Sequence, residues 1–247
     1  MAKVYLLLGG NKGNRLLYLK AAEKLVGQHI GLIQRKSSVY ETEPWRLTGV
    51  PSFLNQVFIA STLLTPEEVL GKIWKIEKKL GRSRNLINPF QNKNELPDLD
   101  RRIPGLNDAV NNGNKQKDNN YADKAEKWKA YAYRIGGYPY PGQLEEDPVE
   151  KYTGESQGAE EPEKDPERTN YSSRTIDIDI LLYDDMIITK KDLIVPHPLL
   201  HKRRFTLEPL AELDGGLSHP VFKKSIAILL AGCEDNLIVR PLKNQTP

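Results

Sequence analysis

Apolar and polar residues alternate most regularly in Arg174-Thr175-Ile176-Asp177-Ile178-Asp179-Ile180-Leu181-Leu182-Tyr183. A period of two predicts a half-buried strand, with Ile176, Ile178 and Ile180 on one face and Asp177 and Asp179 together on the other. Upstream, Lys3–Leu8 reads as a short apolar strand running into the turn Gly9-Gly10-Asn11-Lys12-Gly13-Asn14. The pattern then changes to helical spacing over Arg15–Val26, with Leu16, Leu19, Ala22 and Leu25 on one stripe. Gly31–Thr42 and Phe53–Leu64 read as strands, and Pro66–Leu80 as a helix. That helix has Thr65 as cap, Pro66 at its first position, acids in its first turn and Gly81 as terminator. After the aspartate strand come a short hairpin (Met186–Ile188 with Asp192–Val195) and helices over Phe205–Leu213 and Lys224–Leu230. Strand, helix, strand, strand, helix, strand is the ferredoxin-like βαββαβ order. The expected fold is therefore α+β, with a mostly antiparallel sheet and added C-terminal elements.

Residues 86–170 break the pattern. They hold 12 Lys+Arg against 17 Asp+Glu, whereas the whole chain of 247 residues carries a net charge of +3. One short helix is predicted there, over Asp123–Arg134, with Ala125, Trp128 and Ala132 on a stripe and Gly136-Gly137 ending it. Residues 143–168 are acidic, poor in aliphatics and read as loosely held. So long an excursion within a compact domain is abnormal. The expected organisation is a discontinuous body, 1–85 and 171–247, carrying an acidic insertion at 86–170. No stretch approaches the roughly 18 apolar residues of a membrane span. The start of the chain reads as a strand and not as a signal peptide. The lone Cys233 cannot form an internal disulfide, which fits a reducing, cytoplasmic setting.

Two neighbouring carboxylates repel each other and raise one another's pKa unless a cation lies between them. Asp177 and Asp179, with Arg174 three residues upstream, therefore suggest a site for Mg²⁺ and phosphate. A charged, solvated strand face would show the same pattern. The glycine-rich turn at Gly9 could offer N–H groups to an anion, but it lacks the Walker spacing and is equally a plain strand-to-helix turn.

Taken together, Leu8-Gly9-Gly10-Asn11-Lys12-Gly13, Tyr40-Glu41-Thr42-Glu43-Pro44, Phe53-Leu54-Asn55, Glu77 with Gly81-Arg82-Ser83-Arg84, Arg174-Thr175-Ile176-Asp177-Ile178-Asp179, and Val195-Pro196-His197-Pro198 with Arg203 and Phe205 resemble the hydroxymethyldihydropterin pyrophosphokinase family. The resemblance implies transfer of pyrophosphate from ATP to the hydroxymethyl group of a reduced pterin, in folate biosynthesis, with release of AMP. It implies two Mg²⁺ ions on Asp177 and Asp179. It places Arg82, Arg84 and Arg174 on the phosphates, as the catalytic arginines. Glu77, Ile180, His197 and Arg203 fall at nucleotide-binding positions. Thr42, Glu43, Pro44, Trp45, Phe53, Asn55 and Phe205 fall at the pterin pocket, with Tyr171 as a cover. The partners implied are small molecules, with neither nucleic acid nor membrane.

This sequence departs from the resemblance in places. Gly10 stands for the usual Ser, Asn14 for the usual Asp, Trp74 for a polar residue and Arg46 for a frequent Gly; the insertion falls in the family's mobile catalytic loop.

Two other functional classes compete. In one, the chain is an ATP-binding scaffold whose insertion recruits a protein partner through Trp128, Tyr131, Tyr133, Tyr138 and Tyr140, although those aromatics would equally pack the insertion on the body. In the other it is a ferredoxin-like RNA binder, against which stand the missing RNA-recognition motif and the paired aspartates.

Overall fold

The computed structural model describes residues 1–45, 49–82, 121–135, 173–190 and 192–242; within 121–135 it describes the side chains of Asp123–Lys129 and Tyr131. The elements are β1 (Ala2–Gly10), α1 (Arg15–His29), β2 (Leu32–Lys36), β3 (Tyr40–Thr42), β4 (Phe53–Thr62), α2 (Pro66–Lys79) and α3 (Tyr121–Ile135). They continue with β5 (Asp177–Tyr183), β6 (Ile188–Lys190), β7 (Leu193–Val195), α4 (Arg204–Asp214), α5 (Ile226–Ala231) and β8 (Val239–Pro241). The main sheet runs β5-β1-β4-β3-β8, with β2 also on β4, and its pairings are antiparallel. With β2 and β3 taken as one bent strand, this is the expected ferredoxin-like arrangement.

Alternation along the strands divides the core between two faces. On one, Leu19, Ala22, Val26, Val69 and Ile73 of the first two helices pack on Leu6, Leu8, Phe58, Ile176 and Ile178. On the other, Leu207 and Leu210 of α4 cover Tyr5, Leu7 and Val57. Each fully buried side chain of this size contributes about 1.5–3 kcal/mol. The sequence signals of α2 are realised: Thr65 and Glu68 close a reciprocal capping box.

The expected strand over residues 31–42 is broken in two. The break falls at Ser37, whose N–H still donates to the Val57 carbonyl at 2.9 Å, while its Oγ accepts the Val57 N–H and its carbonyl accepts from Gln56 Nε2. The predicted helix within the insertion forms, and it docks on the body. Ala125 and the fully buried Trp128 join Ile187 and Val221 in a small separate core. Trp128 is thus a packing residue and not an exposed anchor. Tyr131 is half-buried, and the side chain of Tyr133, with Tyr138 and Tyr140, lies outside the described residues.

Three histidines line this side of the molecule. Burial is the main force lowering all three pKa values, to about 3 for His197, about 4 for His201 and about 3 for His219. A histidine held neutral in the fold contributes stability above its unfolded pKa of about 6.5 and loses it as pH falls toward the folded value. Stability should therefore drop by several kcal/mol between about pH 6.5 and 4, which chemical denaturation at stepped pH would measure. His219→Gln should flatten part of that slope.

Candidate active site

The site grows from the end of β5. Gly9 and Leu7 of β1 lie opposite Asp177 and Asp179, and Asn55 of β4 lies opposite Gly9. Cross-strand partners share a face, so both aspartates, Gly9 and Asn55 stand on the same side of the sheet. Glycine suits that crossing, since a Cβ on Gly9 would come 2.2 Å from Asn55 Oδ1 and force that side chain to shift. Asn55 is buried and its Nδ2 donates to Thr42 Oγ1 at 2.8 Å.

Arg82, just beyond α2, donates to both Glu77 and Asp177, and Arg174 donates to the other oxygen of Asp177. Relative exposure falls from 20 % for the Asp177 side chain through 17 % for Arg82 and 15 % for Arg174 to 1 % for Glu77, so the cluster lies at a mouth with Glu77 as its floor. Glu77 Oε1 also accepts the Ile178 N–H at 2.9 Å, which ties α2 to the outer edge of β5. Burial opposes the charge on Arg82, but Asp177, Glu77 and Asp179 more than offset it and raise its pKa. Asp179 is also raised, which for a carboxyl disfavours the charged form. Burial and the nearby Asp177 push it up to about 6, against the lowering charges of Arg203, Arg82 and Arg174.

Asn11 organises the approach of Arg174. Its Oδ1 accepts the Arg174 N–H at 2.8 Å, and its Nδ2 reaches Ser173 Oγ and the Pro51 carbonyl. The N–H groups of Asn11 and Lys12 both donate to the Arg174 carbonyl, at 3.0 and 3.1 Å. The glycine-rich turn therefore spends these donors on the chain and does not offer them to an anion. Gly10 fits the same crossing: a Cβ there would meet the Thr175 carbonyl oxygen at 2.3 Å. Gly10→Ala should cost about 1–3 kcal/mol in denaturant unfolding, since the obstacle is backbone and cannot rotate away. Asn14 caps α1 by accepting the Leu17 N–H.

Aromatic rings complete the face. The Arg174 guanidinium carbon lies 5.8 Å from the Phe53 ring centroid, and that of Arg203 lies 4.7 Å from Trp45 and 5.5 Å from Phe205. Arg203 is buried, and its Nε has no hydrogen-bond partner among the described residues.

The structure thus brings Arg82, Arg174, Asp177, Asp179 and Glu77 together, and beside them Arg203, Trp45 and Phe205, then Phe53, Thr42 and Asn55. The side chain of Ile180 is buried in the helix-covered core. Glu43 points elsewhere; it is exposed, and its Oε2 accepts the Ile238 N–H. Pro44 is half-buried in the same turn, and Trp74 is exposed on α2. Arg84, Tyr171 and Arg46 lie outside the described residues. Asn11 carries no charge and sits in an apparent turn, so only its place inside a shared motif singled it out.

A family model described as 7,8-dihydro-6-hydroxymethylpterin-pyrophosphokinase matches residues 5–100 and 150–215. The chain belongs to this pyrophosphokinase family. A relative from Aquifex aeolicus, named 2-amino-4-hydroxy-6-hydroxymethyldihydropteridine pyrophosphokinase, is 30 % identical over 227 residues, covering 92 % of this chain and 89 % of the relative. The Bacillus subtilis protein of the same name is 26 % identical over 210 residues, covering 85 % of this chain and 76 % of its own. A folate synthesis bifunctional protein of Arabidopsis thaliana shares 41 % identity over 83 residues, 34 % of this chain and 17 % of that one. Among solved structures, an HPPK-DHPS chain in complex with substrates aligns with TM-score 0.51 and 12 % identity, over 94 % of this chain and 43 % of that chain, which supports the fold. As a pyrophosphokinase, the chain is a transferase of folate synthesis that moves a pyrophosphoryl group. Among the described residues no helix is long and apolar enough to cross a membrane.

Proposed function

We propose that this pyrophosphokinase uses ATP as donor and the hydroxymethyl group of 6-hydroxymethyl-7,8-dihydropterin as acceptor. The pterin hydroxyl oxygen attacks the β-phosphorus of ATP, the bond between that phosphorus and the α-phosphate oxygen breaks, AMP leaves, and the hydroxyl proton is released. The observation that carries this reading is Asp177 beside Asp179, ringed by Arg82, Arg174 and Arg203. An anionic polyphosphate and a divalent cation together match that charge arrangement, whereas either alone leaves one sign uncompensated.

The donor set fits Mg²⁺. Among the described residues no group of three or more His, Cys, Asp and Glu side chains could hold a metal. A cation on Asp177 and Asp179 would therefore complete its shell with phosphate oxygens and water, as Mg²⁺ commonly does. When bound, Mg²⁺ neutralises charge on the phosphates. The protein's own groups do the rest. Arg82 and Arg174, parked on Asp177 here, are charged forks within reach of a phosphate arriving at the same mouth. Phe53, Trp45 and Phe205 supply flat faces for a pterin ring, and Thr42 and Asn55 hydrogen-bonding edges. Arg84 and Tyr171 belong to the segments flanking the 86–170 insertion, which we read as a carried insertion in a body made of 1–85 and 171–247.

Incubating the protein with Mg²⁺, ATP and the hydroxymethylpterin, then separating nucleotides chromatographically, should show AMP and pterin diphosphate in equal amounts. ADP in place of AMP would contradict the proposed bond cleavage.

A further inference from the structure

The helix within the insertion meets the body at one chemically specific point. Trp128 Nε1 donates to the Pro196 carbonyl at 2.7 Å, in a buried contact. Pro196 precedes His197, and the N–H of that same peptide donates to the Leu181 carbonyl of β5 at 2.8 Å. The peptide carrying His197 is thus held from both sides, by α3 on its oxygen and by the aspartate strand on its nitrogen. His197 in turn caps the turn that follows, accepting the Leu199 N–H on Nδ1 at 3.2 Å and the Leu200 N–H on its carbonyl at 3.0 Å.

Trp128 also touches the far end of this turn. Its ring lies 6.1 Å from the His201 ring, 5.4 Å from His219 and 5.6 Å edge-on to Phe222, while Phe222 lies 4.6 Å from His201. One indole therefore braces residues 196–203 at Pro196 and at His201. That stretch carries His197 at one end and Arg203 at the other, and the charges of Arg203 and Asp177 both reach His197.

We infer that Trp128 is a positioning residue for the nucleotide side of the active site. It acts through the 196–203 turn, and it makes the insertion helix a working part of the enzyme. The inference rests on the proposed function, and on the family resemblance that puts His197 and Arg203 at nucleotide-binding positions. The indole itself touches neither the aspartates nor the aromatic face; it holds the His197 peptide directly and reaches Arg203, which packs on Trp45 and Phe205, only through the length of the turn, so its effect should fall mainly on ATP.

The test is steady-state AMP formation by the full-length chain with each substrate varied in turn. Trp128→Phe keeps a ring in the pocket and removes the donor to Pro196. It should raise KM for ATP roughly five- to tenfold, the range expected for one lost buried hydrogen bond. The pterin KM and kcat should stay within about twofold of wild type. A merely structural role would instead lower the melting temperature and the active fraction, leaving both KM values alone. Ala125→Asp, which loosens the same helix face without altering the indole, should shift the ATP KM in the same direction.

His197→Ala serves as reference and should raise the ATP KM at least as much. An unchanged ATP KM in a Trp128→Phe protein that melts like wild type, with His197→Ala raised, overturns the inference alone. An unmoved His197→Ala overturns it as well, because the effect is routed through that residue. Loss of cooperative melting in both Trp128→Phe and Ala125→Asp would also overturn it, by making α3 part of the folding core. Absence of AMP from the wild type would instead strike the functional reading itself, and is seen before any variant is made.

Discussion

Asp179→Asn should lower AMP formation on the order of 10³-fold while making the ligand-free protein more stable at pH 7.5. The two effects share one cause. Burial and Asp177 raise the Asp179 pKa to about 6, so its ionised form is disfavoured in the fold. A carboxyl whose folded pKa lies above its unfolded value of about 3.9 contributes its full relative stability below that lower value, and loses it as pH rises through about 6. Near pH 7.5 the wild type carries the ionised carboxylate at a cost of up to about 3 kcal/mol, and asparagine removes the charge. Asp177→Asn should match the loss of activity without the gain in stability. Asp177 holds Arg82 and Arg174, and its amide would leave two guanidinium groups close together. Kinetics beside thermal melts at pH 5 and pH 7.5 measure all of this, with the Asp179→Asn gain roughly halved at the lower pH.

Arg82→Ala should be the second severe lesion, reducing kcat/KM by about 10²- to 10³-fold and stability by roughly 3–5 kcal/mol. Its guanidinium spans Glu77 on the floor and Asp177 at the mouth. Removing it takes a cation from Glu77, which is almost fully buried. Adding Glu77→Gln to Arg82→Ala should return much of the stability, because the buried charge goes too, and should return none of the activity. Arg82→Lys would test geometry: Nη1 alone meets both carboxylates, so a lysine can keep an ion pair while losing the planar fork offered to a phosphate. If the double variant recovered turnover along with stability, Arg82 would be a structural residue only.

Much of the fold can be read locally. The aspartate strand shows in its period of two, and α2 shows in Thr65, Pro66 and Glu68, because capping and alternation act within a few residues. The break between β2 and β3 does not, since it falls where Ser37 bonds to Val57 and Gln56 across the sheet. The short β8 likewise owes its form to pairing with β3, not to its own Val239-Arg240-Pro241.

The site divides the same way. Alternation puts Asp177 and Asp179 on one face, but the same alternation sends the Ile180 side chain into the core. Glu77 illustrates a limit of motif reading: a shared acid at a helix end reveals nothing of its bond to the Ile178 N–H. Asn11 is legible only once Ser173 and Arg174 are folded against it. The stripe of Ala125 and Trp128 predicts a helix, whereas its docking on Pro196 depends on a contact 68 residues away in the chain.

A crystal of the protein soaked with Mn²⁺ and a non-hydrolysable ATP analogue would examine the paired carboxylates most directly. Anomalous density should appear in contact with an oxygen of Asp177 and an oxygen of Asp179, with Arg82 and Arg174 turned from Asp177 onto the phosphates. A nucleotide bound with its metal elsewhere, and both arginines still on Asp177, would contradict the account.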